Sequence, residues 1–314
     1  MAASRPAAFT APGRFWRGNT HTHSTLSDGA LTPEEVCERY RNEGYDFLSI
    51  TEHLVGLFDY PITDTTPLRT DGFTTIPGAE IHTSQLSNGE IWHMVAVGLP
   101  NDFERPNVPN FDGAQAPEPA ASLAQRCRDA GAFVSIAHPQ WFNMTLEDAR
   151  QIEAAHAVEI YNHGCEIECT RGDGTAIWDQ LLTEGRRLSG CATDDAHFKG
   201  PDHFGGWVMV KAEANDPDLL LNALKDGRYY SSQGPQLHDV RIEDNRLYVE
   251  CSPADRIIAL GSRAASKQVY GKGMTSADVP LAAFKRGGWV RVVVTDRFDR
   301  KAWSNPIWLD DPEA

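Results

Sequence analysis

Short apolar runs alternate with amphipathic segments through residues 1–232 of the chain. Six of these runs predict β-strands: YDFLSIT (45–51), FTTIPGAE (73–80), IWHMVAVGL (91–99), AFVSIAHP (132–139), AVEIYN (157–162) and RLSGCATD (187–194). Segments with helical periodicity lie between several of them, such as PEEVCERYRNEG and AASLAQRCRDAG, and both end in glycine as capped helices do. The alternation predicts βα units and a largely parallel sheet.

The pattern changes after residue 234. LHDVRIEDNRLYVECS, RIIALGS and GWVRVVVTDRFDRKAWSNPIWL are short alternating runs with turn signals, and most of them follow one another without a helical segment. They predict a small β-sandwich or another β-rich unit. We therefore divide the chain into a first domain over residues 1–234 and a second domain over 235–314. Residues 100–119 are rich in Pro and Asn and predict a long surface loop.

Composition limits the class of protein. The 29 basic and 44 acidic residues give a net charge of −15, which argues against binding to extended nucleic acid. No apolar run approaches the roughly 20 residues of a membrane span, and the N-terminus has no apolar signal segment. The 6 cysteines form no CxxC pair and are expected to be reduced. We expect a cytoplasmic protein that contacts no membrane and acts on a small molecule.

Histidines and carboxylates fall at the ends of the predicted strands. In HTHSTLSDG, His21 and His23 point to the same side of an extended segment, and Asp28 follows them. Because the carboxyl ends of parallel strands meet at one edge, residues at later strand ends are expected to converge there. The predicted metal ligands are His21, His23, Asp28, His53, Glu80, His93, His138, Asp195 and His197.

The types of these side chains predict the kind of site. Imidazoles and carboxylates without a thiolate favour zinc, manganese or iron(II). The two oxygens of Glu80 can bridge two ions about 3.5–4 Å apart, the spacing at which a shared hydroxide attacks phosphorus or a carbonyl carbon. The sequence contains neither GxxxxGK[ST] nor GxSxG, the motifs of a phosphate-binding loop and a serine nucleophile. We therefore predict a hydrolytic centre with about two to three divalent ions, in which Glu80 is catalytic.

The motifs HTHSTLSDG, TEH, GAEIH, WHMVAVGL, IAHP and TDDAH, in this order, resemble those of the PHP (polymerase and histidinol phosphatase) superfamily of metal-dependent phosphoesterases. The resemblance covers about residues 15–232. With GRYYSSQGP, AWSNPIWL and a terminal β-rich part, the chain is similar to the branch typified by carbaryl hydrolase. The resemblance implies an α/β fold, a distorted, TIM-like (β/α)7 barrel with a trinuclear site, followed here by a small C-terminal β-rich domain.

The resemblance also implies how the ligands are shared. The first ion would be held by His21, His23, Glu80 and Asp195, the second by Glu80, His93 and His138, and the third by Asp28, His53 and His197. An aspartate usually precedes the histidine of the second motif in such families, whereas this chain has Glu52. We interpret Glu52 as orienting a ligand rather than binding the metal. His82 is interpreted either as support for a ligand or as a substrate contact, and Asp194 as a structural acceptor.

Substrate contacts are predicted near the same edge. Arg171 and Lys199 are candidate cations for a phosphate group, and His163 is a candidate general acid; the alternative for each is a solvated loop residue. The leading function is a phosphoesterase acting on a small phosphorylated metabolite or nucleotide. The alternatives are a hydrolase of carboxylic or carbamate esters and a non-catalytic binding module.

Overall fold

The computed structural model describes residues 5–309 and contains seven α-helices and seventeen β-strands within that range. The helices are α1 (Ala7–Thr10), α2 (Pro33–Asn42), α3 (Ala120–Asp129), α4 (Leu146–Arg150), α5 (His163–Cys169), α6 (Thr175–Thr183) and α7 (Pro217–Lys225). The first nine strands are β1 (Arg14–Asn19), β2 (Phe47–Leu48), β3 (His53–Leu54), β4 (Thr74–Thr75), β5 (Gly78–Gln85), β6 (Ile91–Val97), β7 (Phe133–Ile136), β8 (Ala157–Asn162) and β9 (Ser189–Thr193). The others are β10 (Trp207–Ala212), β11 (Tyr229–Ser232), β12 (Leu237–Glu243), β13 (Arg246–Gly261), β14 (Ser266–Pro280), β15 (Trp289–Thr295), β16 (Lys301–Ser304) and β17 (Ile307–Trp308).

The predicted helices form where the sequence places their caps. Thr32 begins α2 with a capping box, in which its side chain accepts from the Glu35 amide and its own amide donates to the Glu35 carboxylate. Helix α3 ends one residue before Ala130, and Gly131 follows with a φ of 95°, a conformation that glycine adopts without strain. Among residues 5–309, no helix is long and apolar enough to cross a membrane.

The strands form two mixed sheets rather than one largely parallel sheet. One has the order β3-β5-β6-β7-β8-β9, and the other follows β12-β13-β15-β16-β11-β10-β1-β2-β4, with β14 beside β13 and β17 beside β15. Strands β7, β8 and β9 are parallel as predicted, but β6 is antiparallel to both β5 and β7. The cause is the Asn88-Gly89 turn, whose glycine has a φ of 93° and joins β5 to β6 as a hairpin.

The two sheets meet at the end that carries the polar residues. Thr22 and Ala196 form an isolated parallel bridge, and the Asp195 amide donates to the His21 carbonyl at 2.8 Å. On the other side, the Glu80 amide donates to the Glu52 carbonyl at 2.9 Å. Strands β2, β3 and β4 have only two residues each. The hydrogen-bonded ladder between the sheet that ends with β2 and β4 and the sheet that begins with β3 is therefore interrupted. The described strands therefore do not pair into a closed ring, and the predicted barrel is not confirmed.

The chain beyond residue 234 is rich in strands, in agreement with its sequence pattern. It has its own hydrophobic cluster, which includes Val240, Leu247, Ile257 and Val292. This part is also bonded to the rest, since β16 pairs with β11 and β11 pairs with β10. The boundary between residues 234 and 235 stays a prediction, because one continuous sheet runs across it.

Candidate metal centre

The nine predicted ligands come together from the segment after β1, from β3, β5 and β6, and from the segments after β7 and β9. The strand registers place several of them side by side, because His53 pairs with Glu80 between β3 and β5, and His82 pairs with His93 between β5 and β6. Most of the cluster is inaccessible to solvent, with Glu80 only 1% exposed. Residues that are distant in sequence thus share one buried polar centre.

Glu80 lies at the middle of this centre. Its Oε1 is 2.7 Å from His93 Nδ1 and 3.1 Å from His138 Nε2. Its Oε2 is 2.6 Å from His53 Nδ1. The carboxylate therefore faces imidazoles with both oxygens, and the group of Glu80, His93 and His138 matches one of the ligand sets expected from the sequence.

Asp195 forms a second meeting point. Its Oδ1 is 3.2 Å from His21 Nε2 and 3.0 Å from His23 Nε2. The same two ring nitrogens are each 3.6 Å from a Glu80 oxygen. Asp195 follows β9 and has a φ of 55°, a left-handed conformation that costs energy for a non-glycine residue and is typical of functional sites.

Asp28 joins the remaining predicted ligands. Its Oδ1 lies 3.3 Å from His53 Nε2 and 3.2 Å from His197 Nε2. With His23, these residues form a group of four whose ligand atoms lie close enough for one ion. Lys199 contacts the other oxygen of Asp28 at 3.3 Å.

The surroundings of His23, His93 and Glu80 keep these side chains in the protonation states that bind metal ions. Burial, reinforced by the charges of His53 and His197, lowers the pKa of His23 to about 3, and burial also lowers the pKa of His93 to about 4. Burial alone would raise the pKa of Glu80, but the neighbouring imidazoles hold it well below its usual value. At neutral pH, two of these rings therefore keep a lone pair for a cation while Glu80 stays ionised.

His53 is different. Burial opposes its protonation, but the carboxylates of Glu80 and Asp28 raise the pKa of His53 to about 10. A metal ion bound between these three residues must therefore displace a proton from the ring.

Buried atoms without well-aligned hydrogen bonds show that the residues fit divalent metal ions. His21 Nε2, Glu80 Oε2 and Asp28 Oδ1 are buried and make no well-aligned hydrogen bond, although other ligand atoms lie within 2.6–3.3 Å of them. A buried polar atom without such a bond is costly. All three face other ligand atoms of the centre. A divalent ion bound by the imidazole and carboxylate groups would give these atoms a partner, and the donor set suits zinc, manganese or iron(II).

Glu159 belongs to the centre, and the sequence analysis missed it. This residue of β8 is fully buried and accepts hydrogen bonds from His21 Nδ1 at 2.7 Å, the His138 amide at 2.9 Å and Asn162 Nδ2 at 3.1 Å. Bonding at Nδ1 directs the other ring nitrogen of His21 towards Glu80 and Asp195. The signal in the sequence was a carboxylate inside the apolar run AVEIYN.

Replacing Glu159 by glutamine is expected to weaken metal affinity or activity by about 10–100-fold, because the amide holds the His21 ring less firmly than a carboxylate does. The measurement is a metal titration of the full chain followed by an activity assay. Glu184→Gln is the control, since Glu184 pairs with Arg150 at the surface. An unchanged affinity in the Glu159 variant would show that His21 needs no such partner.

Glu52 contacts the ligands indirectly. Its carboxylate accepts hydrogen bonds from the Ser24 amide and from the hydroxyls of Ser24 and Ser27. The Ser27 hydroxyl lies 3.5 Å from His23 Nδ1. This geometry agrees with the interpretation of Glu52 as a residue that orients a ligand.

His82 and Asp194 take different places. His82 is fully buried, and its Nε2 is 3.0 Å from His53 Nδ1 and 3.8 Å from Glu80 Oε2, so the ring is part of the cluster itself. Asp194 points away and accepts from the Tyr40 hydroxyl and from the amides of residues 204–206. Asp194 is thus a structural acceptor, as the sequence indicated.

The structure does not bring His163 to the centre. Its Nδ1 is 2.8 Å from the Tyr161 hydroxyl, and both side chains line a different cavity, together with Trp207. Helix α5 begins at His163, and its Gly164 and Cys165 face the metal centre instead. The predicted role of His163 as general acid therefore has no geometric support.

The two predicted cations also differ in position. Arg171 is exposed, and its guanidinium donates to the Trp141 carbonyl at 3.4 Å, outside the cavity wall. Lys199 does line the cavity. The structure thus brings Lys199, and not Arg171, beside the predicted ligands.

A cavity of about 370 Å³ opens onto the metal centre. One wall is aromatic and consists of Phe111, Trp141 and Phe142, and Lys199 is the single lysine or arginine among the described residues that line the cavity. Phe111 comes from the predicted loop 100–119, and its ring centroid is 5.1 Å from that of His53. The cavity therefore combines a buried polar floor with an apolar wall, as ligand sites commonly do.

The first of three solved structures that are similar to this chain shares its fold. A two-domain protein from Bacteroides vulgatus that contains a predicted PHP-like metal-dependent phosphoesterase matches over 91% of this chain and 93% of its own, with a TM-score of 0.51 and 16% identity. A candidate metal-dependent phosphoesterase from Bifidobacterium adolescentis covers 62% of this chain and 90% of its own, with a TM-score of 0.43 and 17% identity. An amidohydrolase from Chromobacterium violaceum, whose structure contains sulfate and no metal, covers 57% and 87%, with a TM-score of 0.42 and 14% identity.

No family model matches the sequence, and no curated protein is similar to it. The first structural match covers more of the chain than residues 1–234 provide, so the similarity of fold extends into the C-terminal strands. Fold and site together define a mixed α/β protein with clusters of histidine and carboxylate that can hold divalent metal ions.

Proposed function

We propose that the protein is a metal-dependent hydrolase of the PHP superfamily that cleaves an ester bond, with the phosphoester of a small metabolite or nucleotide as the leading substrate class. Glu80 carries the proposal, because its two buried oxygens face His53, His93 and His138 from three different strands or strand ends. A carboxylate so placed suits two cations at the spacing used for hydrolysis. The fold shared with a PHP-like phosphoesterase supports the choice of family.

The proposal assigns three groups of ligands to the metal ions. These are His21, His23, Glu80 and Asp195; Glu80, His93 and His138; and Asp28, His53 and His197. Bound divalent ions would supply a water molecule acidified towards neutrality and positive charge for the oxygens of the reacting group. The proposal includes the distorted (β/α)7 barrel of the family, supported by the bridge between Thr22, after β1, and Ala196, after β9.

The side chains of the cavity have separate tasks in this proposal. Glu159 fixes the ring of His21, and Glu80 holds the negative charge that keeps two cations close. Lys199 lies in the cavity wall beside Asp28. From this position its ammonium group can pair with a phosphate oxygen of the substrate. Phe111 packs against His53 and belongs to the apolar wall beside the proposed ions. We expect a small-molecule substrate and contact with neither a membrane nor extended nucleic acid, and a cytoplasmic location stays a prediction.

The aromatic wall favours a second candidate function, the hydrolysis of an aryl carboxylic or carbamate ester. Phe111, Trp141 and Phe142 offer flat apolar surface, whereas a phosphomonoester with two negative charges meets Lys199 and no arginine among the described lining residues. Such a substrate fits the resemblance to the carbaryl-hydrolase branch. The same metal ligands would serve both reactions, so the ligands do not distinguish the two functions. Only the identity of the substrate does.

A substrate panel tests the proposed function. The full chain, loaded with zinc, manganese or iron(II), would be assayed on p-nitrophenyl phosphate, bis-p-nitrophenyl phosphate, p-nitrophenyl acetate and an aryl N-methylcarbamate. We expect turnover on at least one ester, with loss of activity after chelation and recovery after metal is restored. Metal-loaded protein that turns over none of these esters would instead favour the non-catalytic binding module.

A further inference from the structure

His82 is a fully buried histidine that belongs to none of the three proposed ligand groups. It lies on β5 two residues after Glu80, and because side chains alternate along a strand, both residues are on the same face. Ala79 and Ile81, on the opposite face of β5, belong to the hydrophobic core. The ring of His82 therefore enters the metal centre beside Glu80 rather than the core.

The polar contacts of the His82 ring are confined to the metal centre. Its Nε2 lies 3.0 Å from His53 Nδ1 and 3.8 Å from Glu80 Oε2. Its Nδ1 is buried and has no hydrogen-bond partner among residues 5–309. A buried histidine that serves the fold normally bonds its polar atoms to structural partners. No such partner holds this ring, and its polar contacts are made to two proposed metal ligands.

Three atoms of these side chains form a compact triangle of possible metal ligands: His53 Nδ1, His82 Nε2 and Glu80 Oε2. The side from His53 Nδ1 to Glu80 Oε2 is 2.6 Å, and the other two sides are 3.0 and 3.8 Å. Around a tetrahedral ion with bonds of about 2.0–2.1 Å, the ligand atoms lie about 3.3 Å from one another. The sides of the triangle bracket this separation, so small shifts of the side chains would fit them to one ion.

The ring of His53 offers a different nitrogen to each of two ion positions. Its Nε2 lies 3.3 Å from Asp28 Oδ1, in the proposed group of Asp28, His53 and His197, which we call the outer position. Its Nδ1 faces His82 and Glu80, which we call the inner position. A neutral imidazole has one lone pair, so it binds a single ion, and the other nitrogen carries the proton. With an ion in the inner position, that proton is on Nε2, where Asp28 can accept it.

The inner position lies beside the ion proposed for His93 and His138. Glu80 Oε1 is 2.7 Å from His93 Nδ1 and 3.1 Å from His138 Nε2, whereas Glu80 Oε2 faces the inner position. One carboxylate would thus hold two ions through its two oxygens, an arrangement suited to a shared hydroxide. His53, Glu80, His93 and His138 all line the cavity, so both ions would border the substrate.

We infer that the ion assigned to His53 has a second position, in which His53 Nδ1, His82 Nε2 and Glu80 Oε2 bind it. His82 is then a further metal ligand, and the inner and outer positions are alternatives for one ion. The inference rests on the metal centre of the proposed function but not on the ester that this centre hydrolyses. It can therefore be tested through metal content alone.

Elemental analysis of the full chain, after dialysis against one fixed concentration of free zinc, tests this inference. The combined change Asp28→Ala and His197→Ala, called the outer variant, should keep the zinc content of the unaltered chain, because the inner position is intact. Adding His82→Gln or His82→Phe to the outer variant should in each case remove about one equivalent. Glutamine keeps a hydrogen-bonding group and phenylalanine keeps a ring, so loss in both excludes orientation of His53 or packing as the role of His82.

Two controls accompany these variants. His82→Gln alone should keep its zinc, because the ion can take the outer position. Adding His238→Gln, at an exposed residue of β12, to the outer variant should change nothing. Thermal melting with a chelator present compares the folding of all variants without the metal.

The inference is overturned if the outer variant already lacks one equivalent relative to the unaltered chain. It is also overturned if the outer variant keeps its zinc after either His82→Gln or His82→Phe is added. An unaltered chain that binds no zinc, manganese or iron(II) would contradict the proposed function, and the inference with it. Failure of the inner position alone would leave the other ligand groups, and the proposed function, in place.

Discussion

Glu80→Gln is expected to lower turnover by more than about a hundredfold on whichever ester the substrate panel identifies, a loss of roughly 3 kcal/mol in transition-state stabilisation. Glutamine keeps the size of the side chain and one carbonyl oxygen, but it removes the negative charge that two cations would share in the proposed site. Glu80 faces His53, His93 and His138 at 2.6–3.1 Å, so this charge lies at the centre of the site. Single ions can still bind elsewhere, and the loss should persist at saturating metal.

Glu52→Gln is the matched comparison, because it makes the same chemical change in a buried carboxylate close to the site. Glu52 reaches the ligands through Ser24 and Ser27, so we expect a loss of about 10–100-fold in activity or affinity. Both variants are assayed side by side with the same metal and ester. If Glu80→Gln kept more than about a tenth of the activity while Glu52→Gln were inactive, Glu52 would be the bridging residue and the proposed ligand sets would be wrong.

The convergence of several predicted ligands could be expected from the sequence because they follow the ends of parallel strands. Parallel strands bring their carboxyl ends to one edge whatever the length of the intervening helices, so His138 after β7 and Asp195 after β9 were expected to converge. Helix α2 was predictable for a local reason, since Thr32 and Glu35 form its cap without help from the rest of the fold. In each case the decisive interaction is either local or imposed by strand direction.

Features that depend on side-chain packing were not predictable. Glu159 lies inside an apolar run and gains its role only because β8 passes beside the ring of His21. His163 also follows a strand, yet the start of α5 turns its ring towards Tyr161. The sequence pattern identifies the end of a strand, but the direction of the side chain depends on the next turn of backbone.

The prediction that β6 is parallel to its neighbours was wrong for a related reason. The run at β6 is buried throughout and apolar apart from His93, a pattern that suits a parallel strand and an antiparallel strand equally. The Asn88-Gly89 turn determines the direction, and it is a short signal between two long runs. The antiparallel pairing matters for the site, because it places His93 opposite His82 and beside Glu80.

Protein purified without a chelator after growth with zinc and manganese is expected to carry about two to three equivalents of transition metal. The combined change His21→Ala and His23→Ala should remove at least about one equivalent. Both rings direct Nε2 to the same oxygen of Asp195, and His21 Nε2 is a buried atom without a well-aligned hydrogen bond. Their loss leaves Asp195 and Glu80 as carboxylates without nitrogen ligands on that side.

Elemental analysis of the purified chain measures this directly, without any knowledge of the substrate. His238→Ala is the control, because His238 is an exposed residue of β12 and should leave the metal content unchanged. Thermal melting of each variant in the presence and absence of added zinc separates loss of ligands from loss of fold, since only a chain that binds the ion is stabilised by it. A content of less than about half an equivalent of transition metal in the unaltered protein would contradict the proposal of a metal-dependent hydrolase.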